Sequence, residues 1–80
     1  MQLEIITPDR KVFAGEASSV RFPGLDGQFE VLDNHAPLIA ALAAGDVLVT
    51  GAGGGTFHIG GGTVEVLRNK VIVLAESASA

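Results

Sequence analysis

The residues of this 80-residue chain best suited to chemistry are two histidines, His35 and His58, and the nearby carboxylate of Asp33. Together they could form a metal site, or a general base with its orienting carboxylate. The histidines are 23 residues apart, however, and metal ligands usually come at tight spacings. His58 also alternates with Phe57 and Ile59, as an outward-facing strand residue would. The pattern favours an exposed His58 and a hydrogen-bonding or interface role for His35.

Acidic side chains offer no better catalytic candidate. Asp26, Glu30 and Asp33 cluster around one predicted loop, where solvated charges are ordinary. The chain has no cysteine, which excludes a thiol nucleophile, a disulfide framework and a zinc finger. Without a paired base, a metal-ligand set or a nucleophile, we expect a binding protein that uses no cofactor and is not an enzyme.

Two glycine runs also need an interpretation. Residues 51–55 follow an apolar segment, as a phosphate-binding loop would, but what comes next alternates like a strand instead of opening a helix. We therefore expect a hairpin connection there. The triplet Gly60–Gly62 indicates a bulge or the close approach of another backbone. It is either a corner of the fold or a place where a partner chain lies flat on the sheet.

The net charge of the chain limits which classes of partner it could bind. The formal net charge is −4, with five scattered Lys and Arg residues, too few for a basic surface that neutralises phosphates. We expect no nucleic-acid partner. The longest run without charged residues or strong turn signals, 36–44, is about half of the roughly 20 residues that a membrane-spanning helix needs. Any association with a membrane should therefore pass through a partner.

Period-two alternation of apolar and polar residues dominates the chain and predicts half-buried strands. It occurs in 2–7, 17–22, 28–32, 56–60 and 63–67, and turn residues separate these runs. Residues 71–75 are apolar at every position, which would suit a strand covered on both faces. We predict an all-β fold, a small antiparallel sandwich or barrel forming one domain over residues 1–80.

One segment is ambiguous. Residues 34–45 have an N-cap candidate at Asn34, a proline in the first turn, an Ala/Leu body and a terminating Gly45. Propensity alone favours a short helix. A buried extended strand remains open as the alternative.

Lys70 raises a second functional hypothesis. Lipoyl and biotinyl carrier domains are acidic sandwiches of about this size, modified on a lysine at a hairpin tip, and Lys70 follows the turn residues Arg68 and Asn69. Its neighbours differ from the carrier motifs Asp-Lys-Ala and Met-Lys-Met. A carrier domain modified on Lys70 is kept as the alternative function.

Residues 23–38 read PGLDGQFEVLDNHAPL, a Gly-rich loop, an extended strand and an Asn-His-Ala-Pro-Leu element. This stretch resembles the epsilon subunit of rotary ATP synthase. Further similarity follows in order: an opening strand ending in Thr-Pro, VFAGE at 12–16, GGTVEV at 61–66 and NKVIVLAE at 69–76. The similarity covers nearly the whole chain with its spacing intact.

The resemblance implies a flattened antiparallel β-sandwich of about ten short strands, in which residues 34–45 enter a strand. It implies a non-catalytic subunit of the central rotor stalk that binds the gamma subunit and the c-ring and couples rotation to ATP synthesis. It also implies a peripheral membrane protein on the cytoplasmic face of a bacterial inner membrane.

Partner contacts are implied at two segments. The ring-facing loop falls at Asp26, Gly27 and Gln28, with Phe29 beginning the next strand. His35, Ala36, Pro37 and Leu38 fall on the neighbouring edge, near gamma and the ring. Many relatives have glutamate where this chain has Gln28, and glycine where it has Asn34; asparagine also tolerates a positive φ.

Typical bacterial relatives continue into two C-terminal helices that inhibit hydrolysis and sometimes bind ATP. This sequence stops at Ala80, just past the last predicted strand. If it is the whole protein, the resemblance implies no C-terminal helical hairpin and no nucleotide binding.

Overall fold

The computed structural model describes residues 1–51 and 53–80, and every regular element among them is a strand. The eight strands are β1 (Gln2–Ile6), β2 (Lys11–Glu16), β3 (Ser19–Phe22), β4 (Phe29–Leu32), β5 (Leu38–Thr50), β6 (Gly55–Leu67), β7 (Lys70–Ala75) and β8 (Ala78–Ser79). The all-β prediction is confirmed. The number of strands is eight rather than about ten, because β5 and β6 each run for 13 residues. No helix of the described part is long and apolar enough to cross a membrane.

The strands form one sheet in the order β2-β1-β7-β6-β5-β3-β4, with β8 paired to β6 beyond the end of β7. All neighbours are antiparallel except β1 and β7, which are parallel. The glycine-rich segment after β5 connects it to β6 as a hairpin, as predicted; Ala52 lies outside the described residues. No phosphate-binding helix follows it, because β6 begins at Gly55.

The sheet folds over on itself, so that strands far apart in the order meet. Phe13 of β2 packs on Phe57 of β6 with ring centroids 5.2 Å apart, although β1 and β7 separate these strands in the sheet. We call one part of the sheet the first layer. It consists of β2, β1, β7, the half of β6 that pairs with β7, and the start of β5, which pairs with that half of β6. The second layer contains β3, β4 and the other halves of β5 and β6. The molecule measures 27 × 26 × 18 Å, a flattened shape consistent with the predicted sandwich.

One apolar core fills the space between the layers. Its fully buried members come from both: Leu3, Ile5, Val64, Val66, Val71 and Val73 from the first, and Val20, Phe22, Val31 and Val47 from the second. Each such side chain contributes about 1.5–3 kcal/mol by leaving water. The core contains no buried polar or charged residue among those described. The alternation read from the sequence therefore identifies the inward faces of β1, β3, β4 and β6.

Two local expectations need correction or resolution. The apolar run 71–75 is covered on one face only, since Leu74 is 56% exposed. β7 is central in the sheet order, but its outer face has no covering layer. Residues 38–50 form β5, so the strand alternative is confirmed and the helix favoured by propensity does not form. Pairing with β6 along nearly all of β5 supplies hydrogen bonds and packing that outweigh a weak helical preference.

The glycine triplet lies inside β6, where the chain's own next strand approaches it. A Cβ on Gly62 would overlap the carbonyl oxygen of Leu74, and one on Gly61 would lie 3.2 Å from a carboxylate oxygen of Glu76. Gly61 and Gly62 have φ of +105° and +153°. The predicted close approach is therefore made within this chain, by β7 and the bend that follows it, and it does not require a partner chain.

The N-terminus ties the two ends of the sheet together. The Met1 amine donates a hydrogen bond to the Ala17 carbonyl at 2.9 Å, bonds the carboxylate of Asp33 just past β4, and lies 3.5 Å from that of Glu16. The hydrogen bond to Asp33 is the largest cause that raises the pKa of this amine above its ordinary value of about 8. The charges of Asp33 and Glu16 add to the rise, and burial opposes it.

Because that pKa is raised, the contacts of the Met1 amine with the two carboxylates should stabilise the 80-residue chain. This stabilisation should be complete at pH values below about 8 and should be lost as the pH rises through the raised pKa. Asp33→Ala should therefore lower the free energy of unfolding at pH 7 more than at pH 10, measured by urea denaturation. Asp9→Ala, at an exposed turn, is the control and should show no such dependence. If Asp33→Ala lowered the free energy of unfolding equally at both pH values, the stabilising contact between the Met1 amine and Asp33 would be contradicted.

Gly62→Ala should lower the free energy of unfolding by about 2–4 kcal/mol, because its Cβ would overlap the backbone of β7. Gly55→Ala is the matched control in the same strand, since nothing lies within 4 Å of the position that its Cβ would take. That control should change stability by less than ~1 kcal/mol. Thermal unfolding followed by circular dichroism measures both variants, and similar losses in the two would disprove the close-approach argument.

Candidate functional site

The first segment implied to bind a partner is a tight turn between β3 and β4. The Gly27 amide donates to the Gly24 carbonyl at 3.1 Å, and Gly27 has a φ of +127°, which favours glycine. Asp26, Gly27 and Gln28 are exposed. Phe29 differs, because it is half-buried and its ring packs on that of Phe22 with centroids 5.4 Å apart. The turn thus presents 26–28 to solvent, while Phe29 anchors it to the core.

The second segment leads from β4 into β5. Asn34 has a φ of +61°, in the left-handed region that asparagine tolerates. Its amide donates to the Asn69 side-chain oxygen at 2.7 Å, and the His35 amide donates to the Leu32 carbonyl at 3.2 Å. These bonds hold the turn that exposes His35, Ala36 and Pro37, whereas Leu38 is half-buried against the core.

The two segments border grooves that meet at Ile39. The turn 24–29 lines one groove together with residues 39–41 of β5. Pro37, Leu38 and Ile39 line the next groove together with residues 65–67 of β6. Ile39 belongs to both and is 71% exposed, the most exposed large apolar side chain of the described part. The turn and the approach to β5 therefore belong to one continuous surface.

That surface continues across β5, β6 and β7 on the outer face of the first layer, where apolar side chains gather; Glu4 of β1, beside Ile72, and its ion-pair partner Lys11 border them. Ile39 pairs with Glu65, which pairs with Ile72, so the carboxylate lies between two isoleucines. Leu67 and Leu74 of the same face are 47% and 56% exposed. We call Ile39, Glu65, Leu67, Ile72 and Leu74 the apolar outer face. Exposed apolar groups gathered on one face are typical of interaction sites.

The outer face of the second layer carries cross-strand pairs of charged side chains. Arg21 lies opposite Glu30 on the neighbouring strand, and Asp46 lies opposite His58. A His58 ring nitrogen and an Asp46 carboxylate oxygen are 2.5 Å apart, with both side chains more than half exposed. Leu48 is the large apolar side chain on this face of β5, and it is 41% exposed. Leu32 of β4 is 55% exposed on the same face, but it lies opposite Ser19 while Leu48 lies opposite Arg21, so these two leucines are not cross-strand neighbours.

The histidines do not form a shared site. His58 pairs with Asp46 near the far end of β5, while His35 precedes that strand and its Nδ1 bonds the Ala36 carbonyl at 2.7 Å. A carbonyl only accepts, so this bond requires the tautomer with hydrogen on Nδ1. Among residues 1–51 and 53–80, no three His, Cys, Asp or Glu side chains gather where they could hold a metal ion. His58 is exposed, as its place in the alternation predicted.

Lys70 does not occupy a hairpin tip. The tip consists of Arg68 and Asn69, whose φ values of +52° and +60° are those of a two-residue type I′ turn. Lys70 is already the first residue of β7 and pairs with Leu67 and Gln2. The position therefore differs from that expected of a modified lysine in a carrier domain.

Sequence reasoning missed the apolar outer face. In β5 and β7, apolar residues occupy both faces, so alternation could not show which set points outward. The one signal in the sequence was Glu65, an acidic residue that marks the outward face of β6. Ile39 and Ile72 are its cross-strand neighbours, but finding them required the register of three strands.

Comparison with known proteins assigns the family. The sequence model described as "ATP synthase, Delta/Epsilon chain, beta-sandwich domain" matches residues 1–80. The ATP synthase epsilon chain of Chlorobaculum tepidum is 48% identical over 79 residues, covering 96% of this chain and 90% of that protein. That of Chlorobium limicola is 45% identical and covers 98% and 91%. The epsilon chain of Salinibacter ruber is 40% identical, and only 58% of its length is matched.

Solved structures show the same fold. A chain of the central stalk and c-ring of the Tetrahymena thermophila mitochondrial ATP synthase superposes with a TM-score of 0.86 at 14% identity, covering 98% of this chain and 64% of that one. A chain of the Euglena gracilis mitochondrial ATP synthase gives 0.86 at 23%, covering 96% and 51%. This chain thus spans half to two thirds of those subunits. On its sequence, the chain belongs to the ATP synthase delta/epsilon family, of which it represents the β-sandwich domain.

Proposed function

We propose that the chain is a non-catalytic rotor subunit of ATP synthase, a single domain over residues 1–80 that binds the gamma subunit and the c-ring and so couples rotation to ATP synthesis. The names of its relatives and the central-stalk origin of a structural neighbour support this role. The observation that carries it is the group of exposed apolar side chains on the apolar outer face, with Ile39, Leu67 and Leu74 at 71%, 47% and 56% exposure. A subunit whose work is to transmit torque needs one surface held firmly against a partner.

The gamma subunit is the proposed occupant of the apolar outer face. Stable interfaces bury about 1,200–2,000 Å² in total, with an apolar centre and a polar rim. Ile39 of β5, Leu67 of β6, and Ile72 and Leu74 of β7 supply such a centre on three neighbouring strands. His35, Ala36, Pro37 and Leu38 continue it at the entry to β5, where three of the four are exposed.

The c-ring is the proposed partner of the turn at residues 26–28. Asp26, Gly27 and Gln28 project from the groove beside Ile39, with Asp26 carrying the charge of this turn. An acidic turn is suited to basic loops on the ring, and a neutral Gln28 hydrogen-bonds without adding repulsion or attraction. Phe29 supports the turn from the core and lines the same groove. Through this complex the chain lies peripherally at the membrane, on the cytoplasmic side of a bacterial inner membrane.

Leu74→Asp should weaken the complex with the cognate gamma subunit by about tenfold or more, because it places a charge in a desolvated apolar interface. Leu48→Asp is the matched control on the outer face of the second layer, and its affinity should stay within about twofold. Isothermal titration calorimetry with purified subunits measures both. If wild-type chain and gamma form no complex at micromolar concentration, the assignment of function is wrong; equal losses in the two variants would move the gamma surface elsewhere.

Gln28→Lys should reduce rotation-coupled ATP synthesis while leaving affinity for gamma within about twofold, because a lysine would repel basic loops of the ring. Reconstituted vesicles energised by a proton gradient report coupling, and calorimetry reports gamma binding. Gln28→Ala is the control, since it removes the amide without adding charge. A loss of gamma affinity in Gln28→Lys would show that the turn faces gamma and not the ring.

A further inference from the structure

β5 has one edge that is open for part of its length. β6 pairs with it from Leu38 to Val49, with a gap only at Ala43. On its other side, β3 pairs only with 48–50, and the segment after β3 reaches only 41–43. Within the described residues, no strand lies beside 38–40 on that side.

The backbone groups of Ile39 point to this open edge. The Ala41 carbonyl accepts from the Leu25 amide at 3.0 Å, and the Ala43 amide donates to the Pro23 carbonyl at 2.8 Å, both on the side away from β6. Backbone groups in a strand alternate in direction, so Ile39 directs its N–H and C=O to that same side. Leu38 and Ala40 direct theirs to β6. Ile39 therefore offers one donor and one acceptor to an incoming backbone.

This edge lacks the usual protection. Natural sheets blunt open edges with charged side chains, prolines or bulges. Pro37 precedes the open stretch, but within 38–40 all side chains are apolar and Ile39 is 71% exposed. An apolar side chain and an unpaired backbone pair on the same residue are the two features that a docking strand uses.

We propose that an extended segment of the gamma subunit adds to this edge of β5 as a further strand of the sheet. The proposal rests on the proposed function, since it specifies how that partner binds. Main-chain hydrogen bonds to Ile39 would set the register, and alternate side chains of the added strand would lie on the apolar outer face. In the added segment, apolar residues alternate with polar ones, and at least one residue is basic.

Charge argues for the basic residue. Glu65 is the cross-strand neighbour of Ile39, and the structure places no cation within 4 Å of it among the described residues. Asp26 is exposed at the other side of the groove that Ile39 shares. A lysine or arginine on the added strand would satisfy a carboxylate that desolvation by the interface would otherwise leave unpaired.

Paired substitutions at one residue test the backbone contact. Ile39→Ala removes the side chain and keeps the N–H, whereas Ile39→Pro removes both without breaking a bond to β6. We expect Ile39→Pro to bind purified gamma subunit about tenfold more weakly than Ile39→Ala in calorimetry. Equal affinities of the two variants would overturn strand addition.

Amide hydrogen exchange of the wild-type chain gives a measurement that does not depend on a proline variant folding. Bound gamma should slow exchange at the Ile39 amide by more than about tenfold. The Leu38 and Ala40 amides, already bonded to β6, are internal controls that should be protected before and after binding. A complex in which Ile39 exchanges as fast as in the free chain overturns strand addition and leaves the proposed function standing. Failure to form any complex overturns both.

Discussion

The fold depends on how closely two backbones meet at Gly62. Only a residue without a Cβ lets the carbonyl of Leu74 come so near to β6, and Gly61 beside it adopts a φ that other residues avoid. That approach lets β6 keep its pairing with β7 and with β8 beyond it, on either side of the bend. The sheet can then fold over, so that the apolar inner faces of the two layers enclose a common core.

Folding one sheet over in this way leaves two outer faces. The feature that bears on function is the group of exposed apolar side chains on one of them. The inner faces need apolar residues for stability, but nothing in the fold itself requires Ile39, Ile72 and Leu74 on the outside. Exposed apolar groups cost solubility when no partner covers them. The polar pairs on the opposite face, Arg21 with Glu30 and Asp46 with His58, show how the same sheet looks where water is its neighbour. A subunit of a larger machine accounts for both.

Much of the fold could be predicted from the sequence, for reasons that are local. Alternation located the inward faces of β1, β3, β4 and β6, and the left-handed φ of Asn34 follows from its side chain and the turn. Predictions failed where local preference was silent or misleading. The apolar run of β7 looks the same whether one face or both are covered, and the helical propensity of residues 34–45 gave no sign of the long pairing with β6.

By itself, the sequence determined that most of the chain is strand, where the chain turns, that no catalytic constellation is plausible, and which family the chain resembles. These properties depend on residues that are close in sequence, because their spacing and backbone preferences act over a few positions. Only the tertiary structure decided that β5 and β6 are long continuous strands, that Ile39, Glu65 and Ile72 are neighbours, and that one edge of β5 is open. Those facts depend on strand register between distant parts of the chain, and register is selected by the packing of the whole core.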